Sequence, residues 1–148
     1  MDSALSLTDD TPRPRKKKRQ VRRKGNVRTW AKWTLRQAIV RTYNLMGIER
    51  PKGRVSPRRF LGYDHIDLVA SLESQFEDGM SWEVIDQIHI DHVIPIKWFI
   101  EHGITNVAII NDISNLKPIW AKDNLRKGAD LPPDFEQRLA FLVDKYRG

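Results

Sequence analysis

Two stretches place groups capable of acid–base and metal chemistry inside otherwise apolar runs. Residues 89–98 read HIDHVIPIKW, with His89, Asp91 and His92 within four positions. Residues 115–128 read NLKPIWAKDNLRKG, with Asn115 and Asn124 nine apart and Lys127 close behind. These residue types suit phosphodiester hydrolysis, which needs a base to activate water and positive charge beside the pentacoordinate phosphorus and departing oxygen. Asp91 and the side-chain carbonyl of Asn124 are hard donors that suit Mg²⁺, with Mn²⁺ as an alternative. His92 is the natural general base, because imidazole takes a proton near neutral pH. Two protein ligands leave most of an octahedral shell to water and phosphate oxygens. Each residue alone also has an ordinary reading: Asn115 as a turn or cap residue, Asn124 as an exposed helix residue, Lys127 as a solvated charge near a helix end.

The elements that must hold these groups can be read from periodicity. Trp30, Leu35, Ile39, Val40, Tyr43 and Met46 fall near helical spacing over 28–47, with Gly47 as a stop. ERPKGRVSPRR (49–59) reads as a basic loop broken by Pro and Gly. A second helix is expected over 64–76, with Ile66, Val69, Leu72 and Phe76 on its apolar side and Asp67 and Glu73 off it. MSWEVIDQ (80–87) is a connector, and a strand follows over 89–96, closed by Pro95. Residues 97–103 and 106–112 are ambiguous. A short strand over 115–119, a helix over 120–127 stopped by Gly128, and a last helix from about 133 to 146 complete the chain. Phe135, Leu139, Leu142 and Val143 supply that last helix's apolar side.

Strand, loop, short strand, helix is thus the order around the polar residues. Strict alternation would send Asp91 and His92 to opposite faces of their strand. Convergence on one pocket therefore predicts a twist or bulge there. His89 shares Asp91's face, either as a third ligand or as a partner of the ligands, and an ordinary packed or solvent-facing histidine is as good a reading. His65 and His102 lack a partner pattern and read as surface residues.

IDHVIPI…NLKPIWAKDNLRKG resembles the HNH endonuclease family, whose active site is a ββα-metal (His-Me) finger, and LGYDHIDLVASLESQFEDGMSWE resembles the leader preceding that motif in phage-type members. The resemblance covers residues 61–128. It implies an α+β, mostly helical fold: a small ββα-metal finger, about 88–128, packed on flanking helices in one nuclease domain over 27–148. It implies a metal-dependent DNA endonuclease leaving 5′-phosphate and 3′-hydroxyl ends, nicking as a monomer and cutting both strands as a dimer. Matched onto this chain, Asp91 and Asn124 bind the metal and His92 is the base. Asn115 orients the loop and the base, and Lys127 contacts a phosphate. Asn124 stands where many members have His. Many also carry two Cys pairs for a structural zinc; this chain has no cysteine, so Trp82, Trp98 and Trp120 are expected to supply that support. The alternatives are a non-catalytic nucleic-acid-binding protein that keeps the finger as scaffold, and an RNA-cutting nuclease.

Charge agrees with a polyanionic partner. The 148-residue chain carries +7 overall, but residues 1–62 sum to +14 and residues 63–148 to −7. Residues 12–24, PRPRKKKRQVRRK, hold nine Lys/Arg and one aliphatic residue, too little apolar content to order themselves. Residues 1–26 therefore read as a disordered basic arm, in which Arg15, Lys16, Lys17, Lys18, Arg19, Arg22, Arg23 and Lys24 grip phosphates by counterion release. The same string would serve as a nuclear-import signal in a eukaryotic host; otherwise a cytoplasmic location, in a bacterium or phage-infected cell, is expected. No apolar run approaches the length of a membrane helix, so no spanning segment is expected, and for the basic half DNA is the leading expected partner, ahead of an anionic membrane surface.

Overall fold

The computed structural model describes residues 26–127 and 130–147, with 125–127 described by backbone alone. The basic arm up to Lys24, the side chain of Lys127 and the Gly128 stop lie outside the described residues. Helix α1 spans Val27–Met46, and Gly47 ends it in a left-handed conformation (φ 70°) that turns its N–H back onto the Tyr43 and Asn44 carbonyls. Val27, Ala31, Leu35 and Ile39 recur every four residues and are buried, with Thr42 continuing the stripe. Helix α3, His65–Gln75, is set by a capping box in which Asp64 and Asp67 each accept from the other's end of the first turn. Leu68 and Leu72 are its buried residues, whereas Ile66 is 65% exposed. The expected apolar side is thus rotated, because a residue two positions from Leu68 falls nearly opposite it on the helix.

Residues 49–59 are not loop throughout. Ser56 accepts from the Arg59 N–H and Pro57 takes the first helical position, so Pro57–Leu61 forms a short helix, α2. Ser81 likewise starts the 3₁₀ turn Trp82–Gln87. Strand β1 covers Ile88–His92 and β2 covers Leu116–Trp120, paired antiparallel as Ile88 with Trp120 through His92 with Leu116. Between them lie α4 (Ile96–Glu101), α5 (Val107–Ile110) and a 3₁₀ turn over Ile113–Asn115. Helices α6 (Ala121–Lys127) and α7 (Phe135–Lys145) follow. The described chain is therefore mostly helical with one two-stranded antiparallel sheet, an α+β arrangement.

The first strand stops four residues earlier than its apolar run suggests. Past His92 the backbone finds another partner: Val93 N–H donates to the Asn115 carbonyl at 2.8 Å, and Ile94 N–H to the Asn115 side chain at 2.8 Å. Ile96 already begins α4. Asn115 itself belongs to the turn before β2, and Trp120 ends the strand rather than opening the helix.

Two apolar clusters hold these elements. Leu35, Ile39, Leu61, Leu68, Leu72, Trp82, Ile85 and Leu116 join α1, α3 and the sheet, with Trp30 and Trp82 in edge contact at 5.9 Å. Ile94, Ile96, Phe99, Ile110 and Leu142 join α4, α5 and α7. Val143 is half exposed, because Leu142 takes the inward position of α7. The expected tryptophan support is divided: Trp82 packs in the first cluster, Trp98 against the second, and Trp120 beside Gly79. Among the described residues no helix is long and apolar enough to cross a membrane.

Candidate active site

β1 runs in one-to-one register with β2 from Ile88 to His92, so of the twist or bulge expected at Asp91-His92 the bulge is absent. Side chains then alternate. Asp91 is 8% exposed, and on its face, two residues back and about 6.7 Å along the strand, lies His89. His89 Nδ1 meets the Asn124 side-chain amide Nδ2 at 3.2 Å. An amide nitrogen can only donate, so Nδ1 accepts in this contact, and the Asn124 oxygen is turned to the other side of its amide. Helix α6 packs against both strands, which is what brings Asn124 to β1.

His92 occupies the opposite face, toward α1. Its Nε2 lies 2.7 Å from Asn111 Oδ1. The direction of this bond is fixed by the hydrogen bonds behind it. Asn111 Nδ2 donates to the Val107 carbonyl at 3.1 Å and to Thr42 Oγ1 at 2.9 Å, and the Thr42 hydroxyl donates to the Ala38 carbonyl at 2.8 Å. A carbonyl cannot donate, so Asn111 presents its oxygen to His92, and His92 Nε2 bears the hydrogen. Nδ1 is then the basic nitrogen of the neutral ring. Asn111 and Thr42 are fully buried, which makes the orientation rigid. The Tyr63 hydroxyl donates to the Asn111 carbonyl at 2.7 Å; burial, aided by the nearby Asp112 charge, pushes that phenol far above its ordinary range and keeps it a donor.

Residues of both faces nevertheless reach one space. A cleft of about 530 Å³ is lined by Trp33, Gln37 and Arg41 of α1 and by His89, His92 and Asn124. His89 and His92 have opposite parity on the strand, so the cleft must run along the edge of β1 that β2 leaves unpaired. The open edge brings His92 together with His89 and Asn124, but Asp91 is not among the residues that line the cleft, so the expected meeting of Asp91 and His92 in one pocket is not found there.

Asn115, 2% exposed, supports the strand's end. Its Oδ1 accepts from Ile94 N–H, and its Nδ2 donates to the Ile94 and Ile110 carbonyls at 3.0 Å each. The loop after His92 is thus clamped to α5. Asp112, 1% exposed, anchors the same turn by accepting from Ser114 and, through Oδ1, from Lys145 Nζ and Tyr146 OH of the C-terminal segment, both at 2.7 Å. Burial alone would raise the Asp112 carboxyl; the bonds from Lys145, Ser114 and Tyr146 outweigh it and hold the group below its usual value.

Among the described residues no three His, Cys, Asp or Glu side chains gather into a cage. A site made from one carboxylate and one amide, Asp91 and Asn124, is of a different kind. His102 stacks on Trp98 at 4.0 Å, is exposed, and is not among the residues that line the cleft. His65 is half-buried rather than fully on the surface, and desolvation, with Lys32 nearby, lowers its pKa. Sequence reasoning missed Asn111, Thr42 and Trp33. The helical spacing of Thr42 with Leu35 and Ile39 marked it as inward, but nothing signalled a partner for His92.

No family model and no solved structure matches the chain. It is similar to the uncharacterized protein L426 of Acanthamoeba polyphaga mimivirus, with 31% identity over 99 residues, which is 65% of this chain and 44% of that protein. The chain therefore spans less than half the length of this curated relative.

Proposed function

We propose that the protein is a divalent-metal-dependent DNA endonuclease of the HNH type, with β1, β2 and α6 as its ββα-metal finger. One observation carries the reading: His92, with its tautomer fixed, and Asn124, more than thirty residues on, line the same open-edged cleft. The donor set suits a hard ion, for Asp91 offers a carboxylate and Asn124 an amide oxygen whose nitrogen is engaged by His89. His89 then orients a ligand rather than acting as one. When bound, the divalent ion supplies positive charge for the scissile phosphate and the departing 3′ oxygen.

The chain's own residues do the rest. His92 Nδ1 takes a proton from water, and the resulting hydroxide attacks phosphorus opposite the 3′ oxygen. The phosphorus–oxygen bond to that 3′ oxygen breaks, giving a 5′-phosphate and, after proton uptake, a 3′-hydroxyl. Nε2–H stays on Asn111, whose neutral oxygen orients the ring and accepts from the imidazolium as it forms. Asn115 fixes the loop behind the base, and Lys127 is assigned to a phosphate. One such site cuts one strand per encounter. His92→Ala should therefore lower nicking of supercoiled plasmid in Mg²⁺ by about 10²–10⁴-fold while DNA affinity stays near wild type. Undiminished nicking by that variant on a relaxation gel would remove His92 from the mechanism, and equal nicking in EDTA would remove the metal.

A further inference from the structure

The cleft has a second wall that this chemistry does not use. Trp33, Gln37 and Arg41 lie at successive four-residue steps of α1, forming one exposed stripe along the cleft. Trp33 is 53% exposed. Trp30, one turn earlier, is by contrast half-buried against Trp82 and belongs to the core. No ring or cation stacks on Trp33 among the described residues, and its exposed side chain lines the cleft.

Two contacts fix how this wall runs beside β1. Trp30 meets Trp82, just before β1, at one end; Thr42 meets His92 through Asn111 at the other. Trp33 therefore stands at the His89 end with Asp86, and Arg41 stands at the His92 end, about 12 Å away along the helix axis. The two ends differ in charge. A phosphate is favoured beside Arg41, while Asp86 discourages one beside Trp33 and can accept from an exocyclic amino group. Helix α1 supplies Arg28, Lys32, Arg36 and Arg41 and contains no Asp or Glu, so the wall as a whole attracts a polyanion. A cleft of about 530 Å³ is in the range that encloses a small-molecule-sized group, ~300–1,000 Å³.

We infer that this wall is a nucleobase subsite: Trp33 stacks an unpaired base of DNA while Arg41 holds the backbone phosphate toward His92. A base still paired within a duplex cannot present its flat face to Trp33, so the subsite selects single-stranded DNA or a base displaced from its helix. The inference rests on the nucleic-acid reading of the cleft but not on cleavage, and its test is made without metal.

Binding of the full-length protein in EDTA is measured by fluorescence anisotropy on three labelled DNAs: a single strand, a duplex with one bulged base, and the fully paired duplex. Trp33→Leu, which keeps apolar bulk, should weaken the first two by about 5- to 150-fold and leave the third unchanged. Trp33→Phe, which keeps an aromatic face, should retain most of the affinity. Replacing the bulged base by an abasic site should erase the difference between wild type and Trp33→Leu. Arg41→Ala should weaken all three DNAs alike and lower the salt slope by about 1. Equal affinity of Trp33→Leu and wild type on the bulged duplex would overturn the subsite, as would an equal loss on paired DNA or on the abasic duplex. Melting curves of the Leu and Phe variants identify any loss due to unfolding, and the Leu-versus-Phe comparison stands between proteins of equal stability. Were the wild-type protein to leave supercoiled plasmid uncut in Mg²⁺ and Mn²⁺ while these differences held, the subsite would stand and the nuclease reading would fall.

Discussion

An imidazole is a dependable base only when one nitrogen is committed as donor, and His92 obtains that commitment from Asn111. The bond at 2.7 Å is directed by Val107 and Thr42, which leave the amide no alternative orientation. Asn111→Leu would let the ring turn and exchange its proton between nitrogens. A misplacement of this kind costs on the order of 10²-fold in rate, so nicking at saturating DNA should fall by about that factor while DNA affinity is kept. Thr42→Val, which leaves Asn111 its Val107 bond, should cost less. Nitrogen-15 shifts of the His92 ring give an independent check: a wild-type ring protonated on Nδ1 rather than Nε2 would refute the assignment. The candidate base was legible in the sequence because Asp91-His92 interrupts an apolar run. Asn111 was not, since an asparagine ending a four-residue helix looks like any turn residue until folding brings it against a histidine nineteen positions away.

Elements were legible where local chemistry sets them and illegible where a distant side chain does. Gly47 and the Asp64 cap announce the ends of α1 and α3. The end of β1 is decided instead by Asn115, which takes the backbone partners of Val93 and Ile94 from across the loop. The apolar run to Ile96 could not reveal that. Asp112 works at the same scale, tying the turn before β2 to α7 and its cap through Lys145 and Tyr146. Its carboxyl is held below its ordinary value in the folded chain, so its contribution to stability is complete above the unfolded value, about 3.9, and is lost as pH falls through the folded one. Asp112→Asn should therefore be less stable than wild type by about 1–3 kcal/mol at pH 7. That gap should narrow below about pH 4. Urea denaturation across a pH series measures it; a gap that stayed constant into acid would mean the carboxylate's charge is immaterial.

Across the whole molecule, charge is divided by role. The residues of the proposed finger lie in a half whose net charge is −7, and the half before it carries +14. A negative surround concentrates cations but repels DNA, so on the proposed reading affinity for the backbone would have to come from elsewhere in the chain. Two sources are present: α1, with Arg28, Lys32, Arg36 and Arg41, and the basic run over 12–24 that precedes it. They differ in what they can specify. Helix α1 is fixed in the core beside the cleft, so on the proposed reading its charges would set register. On the same reading, a run with one aliphatic residue and nine basic ones would supply affinity without sequence preference. Removing residues 1–26 leaves α1 whole and should weaken binding to every duplex alike. The slope of log affinity against log salt should become shallower by about 0.9 for each phosphate that the shortened protein no longer neutralises. Nicking at saturating DNA should be unchanged, because His92, Asp91 and Asn124 all lie beyond the deletion. An unaltered salt slope would assign the run another task and leave α1 as the source of the DNA affinity.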